Sequence, residues 1–87
     1  MITASEARKK AYNVRILTIK DEVEKTEELI NKSAGEGRNR CEVYVKEKTK
    51  ADRLAEYLRN NGFQSYVNFS GYHEFSFEDI YLLEIYW

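Results

Sequence analysis

Apolar positions follow two different periods along the chain. In the first third, Tyr12, Ile16, Ile19, Val23, Thr26 and Ile30 recur at alternating spacings of four and three residues, the mark of one buried helical face. A second line of smaller residues, Ala4, Ala7, Ala11 and Val14, runs beside it. Thr3-Ala4-Ser5-Glu6 has the form of a capping box, with Thr3 as N-cap and Glu6 reaching back, and Ile2 and Ala7 are spaced for a hydrophobic staple. No Gly or Pro interrupts before Gly35. The pattern predicts one long helix over residues 3–33, with a break near 13–18 as a variant. Residues 14–19 also alternate, so a short strand is the competing reading of that stretch.

Beyond a Gly-containing linker at 34–40 the period drops to two. Cys41, Val43 and Val45 alternate with Glu42, Tyr44 and Lys46, as in a half-buried strand. A second helix follows, with Thr49 as its expected N-cap, Asp52 at the box position and a stripe of Ala51, Leu54, Ala55 and Leu58. Gly62 is placed to end it in the left-handed conformation, with Phe63 as the apolar contact after it. A strand over 64–70 puts Val67 and Phe69 on one face and Tyr66 and Asn68 on the other. A hairpin loop is expected over 71–79. The last strand, 80–87, carries Leu83, Ile85 and Trp87 on one face, and its alternation runs on to Trp87, so the end of the chain is expected to be tied into the sheet.

These elements amount to a single α+β domain over residues 1–87: a long N-terminal helix, then a β-α-β-β unit over 41–87. The sheet is expected to be three-stranded and mixed, its first two strands parallel across the helical crossover and the third antiparallel, with the helices on one face. Val43, Val45, Val67, Phe69, Leu83 and Ile85 would form the core with Leu54, Leu58 and the stripe of the first helix. Tyr44, Tyr66, Leu82 and Tyr86 would project from the uncovered face, either as ordinary cross-strand pairs or as a contact surface. About 30 helical residues span ~45 Å, against ~20 Å for six-residue strands, so the first helix must overhang, fold back or pack on another copy. A small chain gains from the extra burial, and a homo-oligomer, dimer or higher, is expected.

Composition narrows the chemistry. With 14 basic and 15 acidic side chains the net charge is −1, which argues against duplex nucleic acid as a partner. One cysteine and one histidine exclude an intrachain disulfide and a Cys/His zinc site. No stretch is apolar enough to span a membrane, and a reduced, cytoplasmic setting is expected. Neither a metal nor a cofactor is implied. Cys41 follows Arg38 and Arg40, which could lower its pKa, but a structural thiol is the simpler reading. His73-Glu74 could act as an acid/base pair and is more simply a loop sequence. No nucleophile–base pair is evident, and the chain is not expected to be an enzyme. Arg8, Lys9, Lys10 and Arg15 crowd the first helix, whose start offers free N–H groups for a phosphate. With Tyr12 near, and Trp87 supplied by a partner chain, they would make a phosphate-holding, base-stacking pocket; a solvated basic helix face is the plain alternative.

The opening Ile2-Thr3-Ala4-Ser5-Glu6-Ala7-Arg8 and the ending Glu84-Ile85-Tyr86-Trp87 resemble those of a group of small tailed-phage proteins that begin with an I-T-A-x-E-A-R-like helix start and close on an E-I-x-W-like strand. The middle of the chain, with its Asn61-Gly62-Phe63 turn, is similar in layout, while the acidic part of the helix and the 71–79 loop depart from it. The resemblance implies a phage anti-defence protein acting in the host cytoplasm, a sponge that holds a cyclic oligonucleotide immune signal away from CBASS effectors without cleaving it. The positions it carries over are Thr3, Ala4, Arg8 and Trp87; the residues themselves add Tyr12 and Arg15. The implied ligand is a cyclic di- or trinucleotide. The rival reading is a protein–protein inhibitor or host-takeover factor acting through the aromatic sheet face or the helix, and a third is a minor assembly protein.

Overall fold

The computed structural model describes residues 1–73 and 78–87, with the side chains of Tyr72, His73 and Glu78 left aside. Its elements are α1 (Ala4–Leu17), α2 (Lys20–Gly35), β1 (Arg40–Lys46), α3 (Lys48–Asn60), β2 (Gln64–His73) and β3 (Glu78–Tyr86). The α+β class expected from the periodicity holds.

The long N-terminal helix is two helices. It breaks at Thr18 and Ile19, at the end of the stretch where a break was the variant reading, although no Gly or Pro lies there. The Thr18 hydroxyl donates to the Arg15 carbonyl at 2.6 Å and accepts from Arg53 Nη1 of α3 at 2.7 Å. A threonine bonded back onto its own helix satisfies a carbonyl that would otherwise take an N–H from the next turn, and so bends the helix. Arg15 makes the second tie, its Nε and Nη2 donating to the two carboxylate oxygens of Glu56 at 3.0 and 3.2 Å. These contacts turn α1 onto α3 instead of letting it overhang. The predicted stripe nevertheless survives the break. Ile19 and Thr26 are buried, and Ile16, Val23 and Ile30 pack against the core.

All pairing in the sheet is antiparallel. Its order is β1-β3-β2, with Val43, Leu83 and Val67 in one row and Cys41, Ile85 and Ser65 in the next. The expected mixed sheet is therefore corrected. The first two strands do run in the same direction, but β3 inserts between them. The physical reason lies in β3 itself: Ile80, Leu82, Leu83 and Ile85 give it apolar side chains on both faces, and the central position buries it most completely.

The helices pack on one face. Leu83 and Ile85 are fully buried there with Val45, Ala51, Leu54, Ala55, Leu58 and Ile19. Phe69, assigned to the core by its alternation, is exposed instead. It lies on an edge strand, and the ladder shifts register immediately after it, between Phe69 and Gly71, so its ring rests only edge-on against Tyr81.

Two of the expected helix caps are observed and one is not. Thr3 Oγ1 accepts from the Glu6 N–H at 3.2 Å, the first half of the capping box. Gly62 has φ +89° and the Phe63 N–H reaches the Leu58 carbonyl at 3.0 Å, the C-terminal motif expected from Asn61-Gly62-Phe63. Thr49, however, lies inside α3. The N-cap is Glu47, whose φ of 68° is in the left-handed region and whose side chain makes no cap bond. The strands also extend further than expected, β2 through His73 and β3 from Glu78, which shortens the 71–79 loop; residues 74–77, including Glu74 of the His-Glu pair, lie outside the described residues.

Candidate functional site

The first candidate surface is the junction of the three helices. Tyr12 lies at the inner edge of α1 and Arg15 sits over its ring, 5.9 Å from the centroid. An open groove of about 510 Å³ runs beside them, lined by Tyr12, Asn13, Ile16, Leu17, Lys20, Val23, Glu24 and Tyr57. The groove lies at the break, between the last turn of α1, the first turn of α2 and Tyr57 of α3. A smaller cleft of about 240 Å³ between α2 and α3 is lined by Glu27, Ile30, Tyr57, Leu58 and Phe63 among others. Tyr57 is the wall common to both. Its hydroxyl donates to Glu27 Oε1 at 2.7 Å. That bond to a carboxylate, with smaller contributions from burial and from the nearby charge of Glu27, pushes the phenol up to about 12.

The expected ligand residues fall at three places. Thr3, Ala4 and Arg8 line the exposed start of α1, where Arg8 Nε donates to the Ala4 carbonyl at 3.3 Å. Tyr12 and Arg15 stand together at the groove, but the guanidinium of Arg15 is already matched by Glu56. Trp87 is elsewhere. Its N–H donates to the Asn39 carbonyl at 3.1 Å, which ties the chain end to the sheet, and its ring packs edge-on against Phe63 at 6.2 Å. Within one chain the contacts gather Tyr12 with Arg15, while Trp87 keeps to the Phe63 end of the molecule. Tyr57, which joins the groove to the Phe63 cleft, was missed in the sequence. Its signal is the spacing Leu54, Tyr57, Leu58, Asn61, which puts it on the shoulder of the α3 stripe.

The second candidate surface is the open face of the sheet. Tyr44 is 66% exposed and Tyr66 52%, as the alternation predicted. Tyr66 meets Tyr86 edge-on at 5.9 Å, and Arg40 stacks over Tyr86 at 5.4 Å while pairing with Glu42. Glu84 stands beside Glu42 on the same face. The face is thus aromatic, with charges of both signs.

Cys41 is half-buried on the covered face. Burial, and secondarily the charge of Glu42, pushes its thiol up rather than down, and Arg40 and Arg38 are engaged by Glu42 and Glu36. A neutral, poorly nucleophilic thiol results. Among the described residues no cluster of His, Cys, Asp and Glu is placed to hold a metal, and no helix is long and apolar enough to cross a membrane. Searches against family models, curated proteins and solved structures gave no match.

Proposed function

We propose that this chain is a non-catalytic binding protein that works as a homo-oligomer and sequesters a cyclic di- or trinucleotide, in the manner that its resemblance to small tailed-phage proteins implies, with the host cytoplasm as its place of action. The observation that carries the reading is the start of α1: an exposed, capped helix terminus with Arg8 making no ion pair among the described residues, one to two turns before a tyrosine held under a guanidinium. Arg8 and Lys9 are assigned to phosphate oxygens. Tyr12 is assigned to a base, with Arg15 as the residue that orients its ring. Trp87 would stack on the ligand from a second copy, since in its own chain it packs on Phe63. No step of this role requires a nucleophile.

The test is calorimetric titration of the purified chain with a panel of cyclic di- and trinucleotides, followed by recovery of the ligand and its mass measurement. Binding of one of them with the ligand returned intact is expected. Arg8→Ala and Trp87→Ala should each lower the affinity about tenfold or more, the scale of one charge-assisted or stacking contact. No binding across the panel would overturn the reading.

A second reading has its own observation in the open sheet face. Exposed Tyr44 and Tyr66 beside mixed charges suit a protein partner better than a polyanion. In that case Tyr44→Ser and Tyr66→Ser would abolish capture of a host protein while Arg8→Ala leaves it unchanged.

A further inference from the structure

The groove at the helix junction is rimmed in part by exposed apolar side chains. Leu17, on its edge, is 70% exposed, and Val14, one turn before it, 56%. Met1 and Ile2 are also exposed, and α1 contributes no buried residue in its 14 positions. Its main contact with the rest of the molecule is α3.

Surface area gives this exposure a scale. The chain exposes 6276 Å², whereas a compact monomer of 10.3 kDa is expected to expose ~5400 Å². The radius of gyration is 14.4 Å, against ~12 Å for a compact domain of this length. The surplus of roughly 900 Å² is close to the ~800 Å² that each partner buries in a stable protein–protein interface. α1 contributes to it, since it has no fully buried residue and meets the core through Ile16.

Charge identifies the occupant. The groove rim carries one cation, Lys20, and one anion, Glu24, and neither makes an ion pair among the described residues. A two-fold axis sets each patch against itself, and a patch with one charge of each sign is complementary to its own copy. We propose that a second copy of this chain covers the groove, with Leu17 of each copy entering the other's groove between Ile16, Val23 and Tyr57, and Lys20 of each facing Glu24 of the other. The contact deepens the oligomeric part of the reading above by giving it a surface, and it forms without any nucleotide.

The experiment is sedimentation equilibrium of the ligand-free chain from 1 to 100 μM (about the range in which such interfaces titrate), on wild type and variants. A wild-type dimer is expected. Leu17→Glu should raise its dissociation constant about a hundredfold or more, since it removes two buried leucines and leaves two carboxylates in the apolar groove. Because Leu17 is largely exposed in one chain, this variant should keep the wild-type far-ultraviolet dichroism. Lys20→Glu should weaken the dimer, and the exchanged pair Lys20→Glu with Glu24→Lys should restore it. A monomeric wild type would overturn the proposal, as would a dimer unaffected by both Leu17→Glu and Lys20→Glu. Loss of nucleotide binding in Arg8→Ala with the dimer intact would bear on the ligand reading alone.

Discussion

Replacing Ile19 with Ala tests how the helix break is tied to the core. Ile19 is fully buried although it sits in the break between α1 and α2, where its backbone adopts φ −120° and ψ 27°. The substitution removes three carbons, and the lost transfer free energy is ~2.4 kcal/mol at ~0.8 kcal/mol per methylene. A cavity of ~80 Å³, left without collapse, adds up to ~2 kcal/mol. Neighbours on α3 and β3 belong to a packed core and relax only in part, so a loss of about 3 to 4 kcal/mol is expected. That is a large share of the ~4 to 13 kcal/mol expected for a domain of this size. Urea unfolding followed by circular dichroism reads it directly, at one fixed protein concentration because self-association contributes to apparent stability. Wild type and variant should share an m-value while the midpoint falls. Leu17→Ala, two residues away but exposed, is the control; measured below the dimer dissociation constant, it should cost under ~0.5 kcal/mol. If Ile19→Ala cost less than ~1 kcal/mol, or no more than Leu17→Ala, the break would not be anchored by this side chain and the account of α1 would fail.

Two further substitutions probe single groups. The Tyr57 phenol, raised to about 12 by its bond to Glu27, holds its proton more tightly in the folded than in the unfolded chain. The stability it contributes is therefore fully present below about pH 10, its unfolded value, and is lost as pH rises from there through about 12; absorbance titration should show a late-titrating phenolate that is lost in Tyr57→Phe and moves down in Glu27→Gln. The Ser65 hydroxyl is buried on the covered sheet face with no hydrogen-bond partner among the described residues, so Ser65→Ala should be neutral or stabilise by up to about 1 kcal/mol in thermal unfolding, and a clear loss would show that the hydroxyl has a partner in solution.

Much of this architecture is written in local pattern. The stripe from Tyr12 to Ile30 named the buried face of the first helices on both sides of the break, because a bend at Thr18 changes the direction of the helix without changing which side meets the core. Alternation in 41–46, 64–70 and 80–87 separated the covered from the open face and placed Tyr44 and Tyr66 outward, though not Phe69, because a strand must turn successive side chains to opposite sides. Gly62 and Phe63 marked the end of α3 because only glycine takes the left-handed cap at little cost.

Tertiary structure decided what depends on partners distant in the chain. The break was legible only as a variant reading near 13–18: the Thr18 hydroxyl bonds locally to the Arg15 carbonyl, but the ties that turn the helix come from Arg53 and Glu56 of α3. The position of β3 between β1 and β2 is invisible to periodicity, which records faces and not neighbours, although the apolar residues on both faces of β3 hinted at a central strand. Tyr57 became the wall between two clefts only once α3 lay beside the break, and Trp87 settled on Phe63 because the end of β3 runs alongside the turn that closes α3. The sequence by itself thus determined the helical and extended stretches, most of their buried positions, and the caps at Thr3 and Gly62, all of which follow from interactions within a few residues, but not the split of the first helix, the cap of α3 at Glu47 or the exposure of Phe69. The order of the strands, the bend of the helix and the groove beneath it came from packing, where the free energy lies in contacts between residues far apart in the chain.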